Sequence, residues 1–171
     1  MKALLPLPCL VALGFLVLAG CGRSEKTAAS SAAASGTAAA SAPAGGRAIE
    51  ITGNDTMKFN LTEIRAKPGE ALEVTLVNVG TMPKFSMGHN WVLLAAGVDA
   101  MAYANAAATA AKTEYLPEAY KDRVIAATKL LGPKERDTVR FKAPDQPGRY
   151  TFICSFPGHF QVGMKGELIV E

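Results

Sequence analysis

The fold of this chain is decided by the stretch YTFICSFPGHFQVGMKGELIV, residues 150–170. It predicts two strands, at Tyr150–Ile153 and at Gly166–Val170, joined by one loop. The loop carries a thiol, an imidazole and a thioether, which belong to Cys154, His159 and Met164. Because strands at both ends fix the mouth of the loop, these three side chains can converge on one point.

A second imidazole, that of His89, comes just before the apolar strand predicted at Trp91–Leu94. The chain has two histidines in all, and both fall in this pattern. A thiolate and two imidazoles in one plane, with a distant thioether, select copper and suit it to electron transfer. The same Cys and two His could hold zinc, but a thioether is a poor zinc ligand. Taken singly, Met164 could be core packing and Cys154 a small buried hydrophobe. Their combination favours a copper site.

The remainder of residues 48–171 predicts short strands separated by turns. Beyond the three strands above, the pattern predicts Ile49–Thr52, Met57–Asn60, an alternating run through Leu72, Val74 and Leu76, and Thr138–Lys142. Turn signals at this spacing indicate an all-β sandwich or barrel. The alanine-rich region Ala95–Lys129 differs, because its apolar residues have helical spacing. It predicts a helical flap over a sheet edge, with a break at Pro117.

The first 20 residues have the features of a secretory signal peptide. Lys2 supplies the charged start, and the apolar run Leu10–Leu18 is too short to span a bilayer. Leu18-Ala19-Gly20-Cys21 resembles a bacterial lipobox, in which the cysteine is acylated after cleavage. The alternative is an ordinary signal peptide with an incidental Cys21. We expect export and a lipid anchor on a bacterial membrane, with the domain facing the periplasm.

Residues 21–47 predict a flexible tether, since Ser24–Gly46 is almost entirely Ala, Ser, Gly and Thr. Such a composition cannot bury enough apolar surface to offset its ordering entropy, although its alanines allow a weak helix as an alternative. Cys9 leaves with the signal peptide and Cys21 is assigned to the lipid. Cys154 is then a lone thiol in an oxidising compartment, which suits a metal ligand.

The domain predicted at residues 48–171 carries no net charge. It contains fourteen basic and fourteen acidic residues, and the formal charge of +3 comes from the segment before it. The sequence contains no basic patch of the kind that would indicate nucleic-acid binding.

At the candidate metal ligands and in the segments around them, the sequence resembles the azurins, a family of blue-copper proteins. The resemblance covers Ile49–Glu171 and is carried by ITGNDTMKFN at 51–60, MGHNWVL at 87–93, RVIA at 123–126 and TKLLG at 128–132. It implies an eight-stranded, cupredoxin-like Greek-key β-sandwich with copper near one end. With its lipobox-like segment and tether, the chain resembles the lipid-modified azurins of some Gram-negative bacteria. The resemblance therefore implies a membrane-anchored carrier of single electrons.

By position, the resemblance assigns a role to each residue of the site. His89, Cys154 and His159 would form the trigonal plane, with Met164 as weak axial ligand and the Gly88 carbonyl as a weaker contact. Asn90 would tie the two ligand loops together, and the amide of Phe156 would donate to the Cys154 sulfur. An apolar docking patch would surround an exposed edge of His159. Its members would be Met57, Met82, Met87, Phe156 and Pro157, with Phe160 considered as a further one. The expected partners are redox proteins such as c-type cytochromes or copper oxidases and reductases.

The sequence departs from the azurin pattern in three places. Azurins usually carry a disulfide near the N-terminus, and the matching positions here are Arg47 and Gly69. Ala127 occupies a place where azurins often carry a histidine that is not a ligand. Four residues separate His159 from Met164, where azurins usually have three, which leaves the copper–Met distance open.

An enzyme is not predicted from this residue set. A multicopper enzyme needs further histidines for a catalytic copper, and this chain has none beyond His89 and His159. A dinuclear electron-entry site needs two cysteines in the final loop, and this loop has only Cys154. The alternative from another class is a lipoprotein that buffers or delivers copper. Such proteins usually present exposed Met- or His-rich sites, and the tether has neither residue.

Overall fold

The computed structural model describes residues 45–171, which form eight strands and a helical insertion. The signal peptide, Cys21 and most of the tether lie outside the described residues. The strands are β1 (Arg47–Gly53), β2 (Glu63–Ala66), β3 (Ala71–Asn78), β4 (Val92–Leu94), β5 (Val124–Ala127), β6 (Arg136–Lys142), β7 (Gly148–Ile153) and β8 (Lys165–Val170). The helices are α1 (Lys84–Met87), α2 (Ala100–Ala107) and two 3₁₀ helices, Ala111–Thr113 and Glu118–Arg123.

The strands form two sheets with their apolar faces packed together. One sheet has the order β1-β3-β6 and the other β2-β8-β7-β4-β5. The pairs β1/β3 and β2/β8 are parallel, and the other pairs are antiparallel. The alternating run predicted around β3 buries one face, and it meets side chains of the opposite sheet in a core that includes Leu72, Val74, Leu76, Trp91, Phe152 and Leu168. The predicted β-sandwich with a helical flap is confirmed.

Three details of the strand prediction need correction. Met57–Asn60 is not a strand, because Met57 has a φ of 55° and one isolated bridge, Gly53 to Phe59, is all that remains of the pairing. The strand β2 was not predicted. It alternates exposed and buried residues over only four positions, and its partner β8 is far away in the sequence. β1 begins at Arg47, one residue before the expected start of the domain.

The helical flap is shorter than the predicted Ala95–Lys129. It contains α2 and the two 3₁₀ helices and then turns into β5, the edge strand of the five-stranded sheet. Asp99 begins α2 by accepting hydrogen bonds from the N–H groups of Met101 and Ala102, at 2.8 and 3.1 Å. Pro117 directly precedes the second 3₁₀ helix, which agrees with the predicted break.

The flap covers the outer face of the five-stranded sheet. Tyr103 and Ala107 of α2 are buried in one cluster with Val92 and Leu94 of β4 and Ile153 of β7. Leu93, which lies between these two residues of β4, faces the other way into the main core. Since β4 is buried on both faces, its sequence is continuously apolar rather than alternating. None of the helices in the described part of the chain is long and apolar enough to cross a bilayer.

An ion pair lies next to the two positions at which azurins usually carry a disulfide, because it joins Arg47 to Glu70, the neighbour of Gly69. Arg47 contacts the Glu70 carboxylate at 2.6 Å, and the same carboxylate accepts the N–H of Lys67 at 2.8 Å. The Arg47 hydrogen bond holds the pKa of Glu70 below its ordinary value. This contact joins the start of β1 to the turn before β3. As a surface pair it contributes about 0–1 kcal/mol, against about 2–4 kcal/mol for a disulfide.

Candidate metal centre

His89 is held between α1 and β4 by backbone pairing with a distant segment. Its N–H donates to the Leu131 carbonyl at 3.1 Å, and the N–H of Leu131 donates back to the His89 carbonyl at 2.7 Å. The preceding residue, Gly88, lies against α1. A Cβ on Gly88 would come within 2.7 Å of the Lys84 carbonyl oxygen, so a larger residue does not fit there. The turn before His89 is therefore fixed by close packing.

The loop from Cys154 to Met164 closes on itself through backbone hydrogen bonds. The N–H of Cys154 donates to the Met164 carbonyl at 3.0 Å, and the N–H of Met164 donates to the His159 carbonyl at 2.9 Å. Gly163 has a φ of 96°, a conformation that residues with a side chain rarely adopt. The additional residue between His159 and Met164 is thus absorbed in a turn, and Met164 is fully buried.

Three donor atoms face one another inside these two loops. The Nδ1 atoms of His89 and His159 are 3.2 Å apart, and the Cys154 Sγ lies 4.0 and 3.4 Å from them. The centre of such a triangle is about 2.1 Å from each corner, which is close to metal–nitrogen and metal–sulfur bond lengths. His89 and Cys154 are fully buried, and 2% of His159 is exposed. The residues present therefore fit one metal ion.

The electrostatics of the cluster also suit a cation. Burial lowers the pKa of His89, and burial together with the charge of His89 lowers the pKa of His159 to about 4. Burial raises the pKa of the Cys154 thiol to about 12, although hydrogen bonds from the N–H groups of Asn90 and Phe156 oppose this effect. Both imidazoles are therefore neutral and able to donate lone pairs. A metal ion would supply the positive charge that a buried thiolate needs.

Gly53 makes room for Met164 beside the histidine. A Cβ on Gly53 would lie 2.8 Å from the Met164 methyl group and 3.4 Å from the ring of His89. The thioether side chain and the imidazole thus share the space that a side chain at Gly53 would fill. Gly53 was not singled out from the sequence. Its occurrence in the azurin-like segment at 51–60 was the available signal.

Asn90 joins the loop that carries His89 to the loop that carries Cys154. Its Oδ1 accepts the N–H of Ser155 at 2.8 Å, and its Nδ2 donates to the Ser155 hydroxyl, also at 2.8 Å. Both residues are buried, and each is the immediate neighbour of a donor residue. Ser155 was not singled out from the sequence, because its role depends on a partner 65 positions away.

The residues expected around the edge of His159 differ widely in exposure. Met57, Met87 and Pro157 are half-buried, 42% of Met82 is exposed and 8% of Phe156 is exposed. Two expectations need correction. The exposed edge of His159 amounts to only 2% of the residue, because the Phe156 ring lies 4.7 Å from the imidazole. Phe160 does not join the patch, since it turns away to pack with the cluster beneath α2.

Sequence reasoning missed the most exposed apolar side chain of the described residues. Phe85 of α1 is 83% exposed and lies four residues before His89. Val79, 54% exposed, belongs to the same connection between β3 and β4, and Val162, 48% exposed, belongs to the ligand loop.

The comparisons with known proteins agree on one family of copper-binding proteins. Residues 47–171 match the family model described as copper binding proteins, plastocyanin/azurin family. Azurin of Pseudomonas aeruginosa is 39% identical over 127 residues, which cover 72% of this chain and 84% of the relative. Azurin iso-2 of Methylomonas sp. strain J is 38% identical over 125 residues, or 71% of this chain and 95% of the relative. The solved structure of dithionite-reduced auracyanin from Roseiflexus castenholzii has a TM-score of 0.65 and 34% identity, covering 72% of this chain and 96% of its own.

The donor cluster, with Met164 beside it, matches a type 1 copper centre, so copper is the cofactor. The family match and the cluster together support a blue-copper electron-transfer protein. This chain belongs to the plastocyanin/azurin family of copper-binding proteins.

Proposed function

We propose that the chain is a membrane-anchored carrier of single electrons that uses one copper ion and catalyses no reaction of its own. The buried triangle of two imidazole nitrogens and one thiol sulfur carries this proposal. His89, Cys154 and His159 would hold the ion, and Met164 and the Gly88 carbonyl would make weaker contacts with it. The ion supplies a one-electron couple, since sulfur donors favour Cu(I) and imidazoles accept Cu(II).

The protein residues around the triangle fix its geometry and exclude water. Burial removes His89 and Cys154 from solvent, and the Asn90–Ser155 hydrogen bonds hold their loops together. The N–H groups of Asn90 and Phe156 oppose the rise in the pKa of Cys154, so they stabilise negative charge on its sulfur. A site that is assembled before the ion arrives needs little rearrangement when the ion changes its charge.

The proposed route for electrons is the apolar surface next to His159. Five large hydrophobic side chains of the described residues are exposed, and four of them lie in the connections that carry the donor residues. These four are Val79, Met82, Phe85 and Val162. Concentrated apolar exposure of this kind marks an interaction site. We assign to this surface the docking of redox proteins such as c-type cytochromes or copper oxidases and reductases. The surface would also include Met57, Met87, Phe156, Pro157 and the edge of His159.

The membrane anchor is proposed from the sequence alone. The apolar run and the segment Leu18–Cys21 support export and acylation of Cys21, and the tether at residues 21–47 would let the domain move between partners near one membrane. On this proposal the domain would face the periplasm of a bacterium.

The experiment that tests the copper assignment is a visible spectrum of the protein after one equivalent of Cu(II) is added. We expect intense blue absorption from charge transfer between the Cys154 thiolate and Cu(II), and we expect Cys154→Ser to abolish it. Stoichiometric binding of Cu(II) by a protein that stays pale would overturn the assignment. Release of the copper to a competing chelator then separates a carrier from a copper buffer, because a buffer must exchange its metal readily.

A further inference from the structure

The flap contains an unusual backbone reversal next to the metal centre. Glu114 and Tyr115 have φ values of 53° and 64°, so two successive residues that are not glycine adopt the left-handed conformation. They follow the 3₁₀ helix Ala111–Thr113. The N–H of Glu114 bonds back to the carbonyl of Ala111 in this helix, and the N–H of Tyr115 to the carbonyl of Ala110 just before it. Residues with a side chain avoid this conformation unless the surrounding structure holds them in it.

Glu114 contacts three segments that surround His89. Its carboxylate accepts the N–H of Leu130 at 3.1 Å and the Nζ of Lys84 at 3.1 Å. Its carbonyl accepts the side-chain amide of Asn90 at 3.3 Å. Lys84 begins α1 before His89, Asn90 follows His89, and Leu130 precedes the residue whose backbone pairs with His89. One residue of the flap thus contacts three of the segments that adjoin His89.

Tyr115 contacts the other ligand loop. Its carbonyl accepts the hydroxyl of Ser155 at 2.8 Å, next to Cys154. Its ring packs edge-on against Phe156, with centroids 5.0 Å apart, and the Phe156 ring in turn lies 4.7 Å from that of His159. The two successive carbonyls of the reversal therefore bond to the two loops that carry the donor residues, one to each loop.

We propose that Glu114 and Tyr115 are positioning residues for the copper ligands, and that the flap locks the His89 loop to the Cys154 loop through them. The proposal rests on the ligand assignment made above. It explains why a strained conformation is retained at two residues that bind no metal. It also gives the flap a role beyond covering the five-stranded sheet.

The test uses Glu114→Asp and Glu114→Gln, with Glu70→Asp as the matched control. Asp retains the charge but is one methylene too short to reach both Lys84 and Leu130, whereas Gln retains the length and loses the charge. Glu70 also accepts one backbone N–H and one cationic side chain. It lies just before the first residue of β3, whereas the metal centre lies beyond the other end of this strand, roughly 25 Å away at the rise of a β-strand.

The first measurement is amide hydrogen exchange in the metal-free protein. In both Glu114 variants we expect exchange at Leu130, and at Leu131, which bonds to His89, to be about tenfold faster, as for the loss of one charge-assisted hydrogen bond. In Glu70→Asp, exchange should rise at Lys67 and stay unchanged at Leu130 and Leu131. Equal effects of Glu70→Asp at Leu131 would overturn the proposal, because they would show a general loss of stability.

The second measurement is the rate at which copper passes to a chelator. Both Glu114 variants should release copper faster than the wild type, by a similar factor, and Glu70→Asp should not. Faster release in Glu114→Gln alone would reveal a simple charge effect, and unchanged release in both would remove the positioning role. A wild type that bound no copper would end the proposed function instead, whereas hydrogen exchange at Leu131 would still test the lock between the loops.

Discussion

The Nδ1 atoms of His89 and His159 face each other at 3.2 Å inside a site that solvent hardly reaches. Two imidazoles so placed cannot both be charged without a large cost, and burial already lowers the pKa of each. The metal-free protein therefore holds both rings neutral at pH 7. This has a consequence for its stability in acid.

We predict that the copper-free protein loses stability as the pH falls from about 6.5. The unfolded histidines take up protons near that pH, whereas folded His159 does so only near pH 4, so stability is complete above about 6.5 and declines toward 4. For His159 alone the loss should reach about 2 kcal/mol at pH 5 and approach about 3 kcal/mol near pH 4, at 1.36 kcal/mol for each pH unit. Urea unfolding of the copper-free protein at pH 7, 6 and 5 measures it.

Most carboxylates remain ionised over that range, so the decline between pH 7 and 5 belongs to the histidines. Cys154→Ser should show the same decline and serves as the control. A free energy of unfolding that stays constant from pH 7 to 5 in copper-free protein would contradict the prediction.

Gly53→Ala should disturb the metal centre from outside its donor set. The new methyl would come within 2.8 Å of the Met164 side chain, so the thioether or the His89 ring must shift. We expect a loss of stability of roughly 1–3 kcal/mol, as for other overpacked cores, and a changed blue absorption spectrum. Gly45→Ala is the control, because its new methyl would mainly meet the flexible ends of the Arg140 and Glu73 side chains. An unchanged spectrum in Gly53→Ala would show that Met164 does not influence the copper.

Met87→Lys should slow electron exchange without altering the blue colour. Met87 is half-buried at the proposed docking surface and donates nothing to the metal. A lysine there removes apolar contact and adds like-charge repulsion between two copies, so self-exchange should fall by roughly tenfold, or about 1.4 kcal/mol. Met101→Lys is the matched control, because Met101 is 45% exposed on α2 and is not part of the proposed docking surface. Equal rates in the wild type and Met87→Lys, with a strong salt dependence, would place docking on a charged surface elsewhere.

Cys21→Ala should abolish acylation and detach the protein from membranes or leave its signal peptide uncleaved. Mass spectrometry of the mature N-terminus and membrane fractionation measure both effects. Cys9→Ala is the control, because Cys9 lies in the predicted signal peptide, just before its apolar run, and should be dispensable. A Cys21→Ala protein that remained acylated in the membrane fraction would contradict the lipobox assignment.

The sequence predicted the strands that alternate or that are continuously apolar, because these patterns follow directly from burial on one face or on two. It predicted neither β2 nor the interruption at Met57. β2 is four residues long and owes its place to parallel pairing with β8, and Met57 has a positive φ without being glycine. Both features depend on contacts that no local pattern records.

The same distinction applies to the metal centre. Cys154, His159 and Met164 occur within one loop, so their convergence could be inferred from strands at its two ends. The supporting residues Gly53, Ser155 and Glu114 could not be found in this way. Each acts through a partner distant in the sequence, and a glycine, a serine or an exposed glutamate has no chemistry of its own that would single it out.

The pairing of β2 with β8 also governs when this domain can fold. Glu63 lies opposite Glu167, so β2 has to wait for a partner that the ribosome delivers about a hundred residues later. β8 stands between β2 and β7, and without it the five-stranded sheet is divided and the donor loop has no second strand to close it. A nascent chain of this design stays unfolded through most of its synthesis. Such a delay would suit the proposed export, because an export machinery could thread the chain while it is unfolded and copper would be captured only afterwards.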